Sequence, residues 1–159
     1  MIFLSLPAYS RTMRHIIYSM QFKGTATPGA DEGVLKATTS ATSCSVKSIV
    51  GTDGVEGGFI PAEGGMAFFE STVKMTGGES FTESGSICFG DDHSLEFSTV
   101  GAGRLAPSAD AKTLSGAVIW KVDSGEGQFD GASGYITSNF LVGDKGEVTD
   151  YQFGVIFLK

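Results

Sequence analysis

Between Ile16 and Lys23 the chain alternates with a period of two. Ile16, Tyr18, Met20 and Phe22 fall on one side; Ile17, Ser19, Gln21 and Lys23 fall on the other. That period belongs to a half-buried strand. Pro28-Gly29 and Asp31-Glu32-Gly33 end it. Leu35 to Val50 is rich in Thr and Ser, and its β-branched content favours a second strand. Gly51 to Gly65 holds Asp53-Gly54, Gly57-Gly58, Pro61 and Gly64-Gly65, and is read as a loop. Met66 to Met75 is a third strand. Glu79 to Phe89 is a fourth, with Phe81, Glu83, Gly85, Ile87 and Phe89 on one face. Leu95, Phe97 and Thr99 mark a fifth. Gly101 to Lys112 reads as a looser connection, and Leu114 to Val122 as a sixth strand, with Val118 and Trp120 in phase.

The last quarter is patterned most clearly. Tyr135 to Val142 and Val148 to Leu158 are strand-like runs around Gly143-Asp144-Lys145-Gly146, the composition of a hairpin turn. Before them lies Gly125 to Gly134, dense in glycine. Three residues separate Gly127 from Gly131, where a dinucleotide fingerprint has two, and no helix-period run follows. This stretch is therefore read as a strand-to-strand corner with Phe129 tucked inside. About eight strands at fairly regular spacing and no helical period imply an all-β sandwich or barrel, with sequence neighbours antiparallel. Closure would remove exposed edges, and an interior of about eight strands can be filled or can hold one small ligand.

Composition narrows the function classes. The chain of 159 residues suits one domain, a lead-in over 1–14 and a barrel over 15–159, and 41% hydrophobic residues suffice for a core. A net charge of −7 disfavours nucleic acid and anionic membrane surfaces as partners. Met1 to Leu6 is apolar but short, Pro7 interrupts it, and Arg11 and Arg14 follow rather than precede it. That is not the order of an export signal, and no run approaches the ~20 residues of a membrane span. A cytoplasmic location is expected. Cys44 and Cys88 lack paired spacing and read as small half-buried thiols, with a disulfide left open. His15 and His93 lie far apart, so no metal site is expected, and no cofactor motif is present.

The run Gly125-x-Gly127-x-Phe129-x-Gly131-Ala132-Ser133-Gly134, followed by a strand, a glycine turn and a closing apolar strand, resembles the allene oxide cyclase barrel superfamily, which includes dirigent proteins. The match covers about the last forty residues. Where those families often carry Gly-Gly-Thr-Gly, this chain has Ser124-Gly125-Glu126-Gly127. The resemblance implies an eight-stranded antiparallel, calycin-like barrel with an apolar cavity. It also implies cofactor-free isomerisation or cyclisation of a lipid-like or polyketide-like molecule, and leaves a homo-oligomer open. The corner carries fold information, not catalytic information.

Candidate chemistry follows from parity. Glu83 shares its face with Phe81 and Ile87, so it should point inward, where desolvation raises a carboxyl pKa and suits a general acid. Glu70 sits on a mixed face with Lys74 and reads as a solvated residue pairing with it. The inward sets are expected to be Tyr18, Met20 and Phe22; Phe81 and Glu83; Leu95 and Phe97; Val118 and Trp120; and Phe153 and Val155. Of these, Tyr18, Phe22, Phe81, Phe97, Trp120 and Phe153 would line a ligand cavity, and Asn139 would add a donor. The competing reading is a non-catalytic binding or structural barrel whose lumen those side chains fill completely. An open lumen or a filled one separates the two.

Overall fold

The computed structural model describes residues 13–159, so most of the lead-in lies outside the described residues. The strands are β1 (His15–Pro28), β2 (Val34–Gly51), β3 (Gly54–Gly77), β4 (Ser80–Phe89), β5 (Ser94–Thr99), β6 (Gly103–Pro107), β7 (Thr113–Glu126), β8 (Ser133–Gly143) and β9 (Glu147–Phe157). Each pairs antiparallel with its neighbours, and β9 returns to β1 along Ile16↔Ile156 to Thr25↔Glu147. β5 and β6 share one wall position. β4 meets β5 at Ser84↔Ser98 and β6 at Phe81↔Gly103, while β7 meets them at Trp120 and Ala117. The nine strands thus make an eight-position closed barrel, the expected fold class. Closure pairs the backbone groups that an open sheet would leave on its edges.

Alternation sends one parity of each strand inward. At one end the interior is packed with aromatic rings. Phe69 stacks on Phe97 at 5.4 Å, Trp120 lies 4.4 Å from Phe97, and Phe22 lies 6.1 Å from Phe69. Ile87, Leu95, Ile136 and Ile156 fill between them and are fully buried. The corner between β7 and β8 seals this end. Its single turn of 3-10 helix, Gly127–Phe129, drives Phe129 inward against Phe89 at 5.3 Å.

Three expectations need correction. Gly51 to Gly65 is not a loop. β2 and β3 stay paired from Cys44↔Pro61 to Gly51↔Gly54 around a two-residue Thr52-Asp53 turn, forming a long arm beyond a bulge at Thr42/Cys44. Neither face of this arm is buried, so burial imposes no alternation to betray it. The connection over Gly101 to Lys112 contains β6. On β9 the parity is reversed: Val148, Asp150, Gln152, Gly154 and Ile156 face inward, while Phe153 is exposed and Val155 lies on the outer wall. The more apolar set of that strand is the outer one. Cys44 and Cys88 are unpaired, half-buried thiols.

In the corner, Gly131 (φ 69°) and Gly134 (φ 137°) both lie where side-chain-bearing residues are strained. Their surroundings differ. A Cβ on Gly131 would meet the flexible Lys159 side chain, whereas one on Gly134 would collide with the Val155 backbone carbonyl. Gly131→Val should cost ~1 kcal/mol and Gly134→Val more, ~2 kcal/mol or above. Urea unfolding of both variants checks the order; equal costs would contradict the geometry.

Candidate functional site

Beyond Phe69 and Trp120 the lumen is not filled. A cavity of about 130 Å³ opens toward the end where β1 and β8 finish and β2, β7 and β9 begin. Its walls are apolar: Leu35, Val73, Phe81, Leu105, Phe140 and Val142. Four polar side chains interrupt them, Thr39, Glu83, Ser138 and Asp150. A larger hollow of about 630 Å³ lies on the outer wall over Gly85, but it is open and polar, with no buried carboxyl of this kind. The interior cavity is the candidate site, because it holds two carboxyl groups removed from water.

Glu83 is held from backbone to carboxylate. Glu83 pairs with Val73 of β3 on one side, but on the other the break between β5 and β6 leaves its backbone without a strand partner, and the Thr99 hydroxyl takes that place. Thr99 Oγ1 accepts from Glu83 N at 2.7 Å and donates to Glu83 O at 2.9 Å. The Glu83 carboxylate accepts from Ser71 Oγ at 2.5 Å and from Trp120 Nε1 at 3.1 Å. Asp150 is held likewise, by Ser138 Oγ at 2.6 Å and by its strand mate Gln152 Nε2 at 2.8 Å. Gln152 Oε1 in turn accepts from Tyr18 OH at 3.3 Å. A side chain larger than glycine at 154 would collide with the Tyr18 ring, so Gly154 makes that placement possible. The Thr39 hydroxyl is also buried, and among the described residues no group bonds to it.

Burial dominates the electrostatics. Desolvation pushes Glu83 up to about 7 against the two hydrogen bonds that favour its anion, and the nearby Asp150 charge adds to the rise. Asp150 is pushed up to about 6 by desolvation, against its bonds from Ser138 and Gln152. Tyr18 is pushed far above its ordinary range by burial and by the Asp150 charge. Asp150 therefore ionises first, and its charge helps keep Glu83 protonated near neutrality. Two acids on one cavity are split into an acid and a base by their surroundings.

The structure brings Glu83, Phe81 and Trp120 to the cavity. Tyr18 reaches it only through Gln152. Phe22 and Phe97 belong to the packed end and do not line the cavity. Asn139 and Phe153 face outward, so neither enters the lumen; Asn139 alternates with the buried Ser138. Glu70 also faces outward, and among the described residues it makes no ion pair with Lys74. Asp150, Ser138, Gln152, Ser71 and Thr39 are additions. Ser71 carried a signal, sharing parity with Phe69 and Val73. Asp150 and Gln152 carried an opposite one, since two polar residues on one parity read as a solvent face.

No protein-family model matches the sequence, and no curated protein matches it. Among solved structures the chain is similar to that of the pterocarpan synthase dirigent protein GePTS1. The TM-score is 0.61 over 98% of this chain and 97% of that one, at 11% identity. The fold is therefore that of a dirigent-like barrel; identity this low speaks to fold alone. Among the described residues no helix is long and apolar enough to cross a membrane.

The two raised acids make stability depend on pH. In the unfolded chain both ionise near ~4, whereas the folded barrel holds their protons to about 7 and about 6. Between those values the folded state binds more protons than the unfolded one. Their contribution is thus fullest below pH ~4 and is lost as pH rises to about 7. Glu83→Gln removes one of the two steps. Its urea midpoint should fall less steeply than that of the parent across this window, and parallel curves would contradict the buried-acid geometry.

Proposed function

We propose that this barrel is a cofactor-free isomerase or cyclase that encloses part of a compact apolar substrate, polyketide-like or lipid-like. The observation that carries the reading is the pairing of two buried carboxyls, Glu83 and Asp150, on one apolar cavity. A dry cavity of ~150 Å³ accommodates a benzene-sized ring. A volume of about 130 Å³ therefore suits one ring or a short branched segment, with the rest of the molecule toward the mouth. The unpartnered Thr39 hydroxyl offers one directional contact.

The chemistry suited to such a site is proton relocation. Glu83 donates a proton to one position of the substrate, and Ser71 and Trp120, both donors, stabilise the anion left behind. Asp150 accepts a proton from another position. The balance closes with no oxidant or reductant, so the product is an isomer or a ring-closed form. General acid–base catalysis supplies ~10²–10⁴-fold. Holding a single conformer against the apolar walls adds to it. That the structural neighbour is named a synthase supports a chemical use of this fold.

The test is hydrogen–deuterium exchange into a small cyclic ketone, followed by NMR, with Trp120 fluorescence reporting occupancy. The parent protein should bind the ketone and speed exchange. Glu83→Gln and Asp150→Asn should still bind it, with exchange reduced ~100-fold or more. Binding without accelerated exchange would leave a non-catalytic binding barrel in its place.

A further inference from the structure

Thr39 is the polar group of the cavity that is left without a task. It is 5% exposed, and among the described residues nothing bonds to its hydroxyl. The other fixed donors are taken. Ser71 and Trp120 give their hydrogens to Glu83, and Ser138 and Gln152 give theirs to Asp150. Thr39 thus holds a free donor in an apolar interior, where an unmade bond is costly. The residues around it are small. Gly24 pairs with it across the β1–β2 ladder, and Ala26 and Ala37 line the cavity one step along. None of the three offers a side-chain acceptor. The place of Thr39 in the ring matters too. β2 lies two strands from β9, which carries Asp150, and two from β4, which carries Glu83. A group held at Thr39 therefore has one acid on either side.

Charge narrows the ligand. The cavity is lined by two carboxyls and, among the described residues, by no Lys, Arg or His. The turns around its mouth carry Asp31, Glu32, Asp110 and Asp144 against Lys112 and Lys145, and Glu79 is paired with Arg104. An anionic group would be repelled at this rim and would find no counter-charge inside. On the reading that this cavity holds the substrate, we infer that Thr39 is a specificity-determining residue: the site takes an uncharged molecule whose carbonyl oxygen accepts the Thr39 hydrogen bond. A donor on the substrate would be drawn to the carboxyls, whereas an acceptor finds its open partner at Thr39. A carbonyl also acidifies the C–H bonds beside it, which proton relocation between Glu83 and Asp150 requires.

Three ligands built on one six-membered ring test this: cyclohexanone, methylenecyclohexane and cyclohexanecarboxylate. Binding is followed through the indole N–H resonance of Trp120. The parent should bind the ketone ~10-fold more tightly than the alkene, and should leave the carboxylate unbound. Thr39→Val keeps the shape and removes the donor, so the advantage of the ketone should vanish; Thr39→Ser should restore it. Thr39→Val should also raise the urea midpoint, because it deletes a buried hydroxyl that has no partner. If parent and Thr39→Val bind both neutral rings with the same preference, the inference is overturned and the cavity still stands as the site. A carboxylate bound as tightly as the ketone, or a lowered midpoint for Thr39→Val, overturns it as well. A parent that binds neither neutral ring overturns the cavity as the substrate site, and the inference with it.

Discussion

Trp120 joins the two halves of the lumen. Its ring closes the packed end, 4.4 Å from Phe97 and 5.5 Å from Phe69. Its N–H points the other way, to Glu83. An indole buried this deeply needs a partner for that N–H, and a carboxylate buried this deeply needs donors, so each group makes the other tolerable. The aromatic packing sets the floor of the cavity, and the hydrogen bond sets where the acid sits above it. Replacing either partner alone would strand a polar group in an apolar interior, where the lost bond is felt in full.

β9 shows how site and surface arise from one departure. An ordinary barrel strand puts its apolar parity inside. β9 puts Asp150 and Gln152 inside, and Tyr151, Phe153 and Phe157 outside. Both halves of that inversion run against the hydrophobic pattern, and places where the pattern fails are where function is expected. The inward half supplies the second acid; the outward half leaves Phe153 exposed to water.

That inversion also explains what was legible in the sequence. The barrel could be read because most strands obey the period of two: Phe22, Phe81, Phe97, Val118 and Trp120 all lie inside as their spacing requires. The corner could be read because its glycines and Phe129 have no other economical use. Glu83 could be read because a lone carboxylate stood on an apolar parity. Asp150 could not, because beside Gln152 it made a polar parity that on its own means solvent. The arm over Gly51 to Gly65 stayed hidden for a different reason: a ribbon with no buried face has no period to show. The β5–β6 break, which hands the Glu83 backbone to Thr99, is a register event with no local signal.

Two buried carboxyls, Glu83 and Asp150, share one apolar cavity. The direct measurement is a carbon-13 NMR titration of the Glu83 and Asp150 side-chain carboxyls in the folded protein. Midpoints near about 7 for Glu83 and about 6 for Asp150, with Glu83 the later to ionise, are the predicted result. Midpoints for both in the ordinary carboxylate range near ~4 would contradict it, since desolvation would then not govern the site.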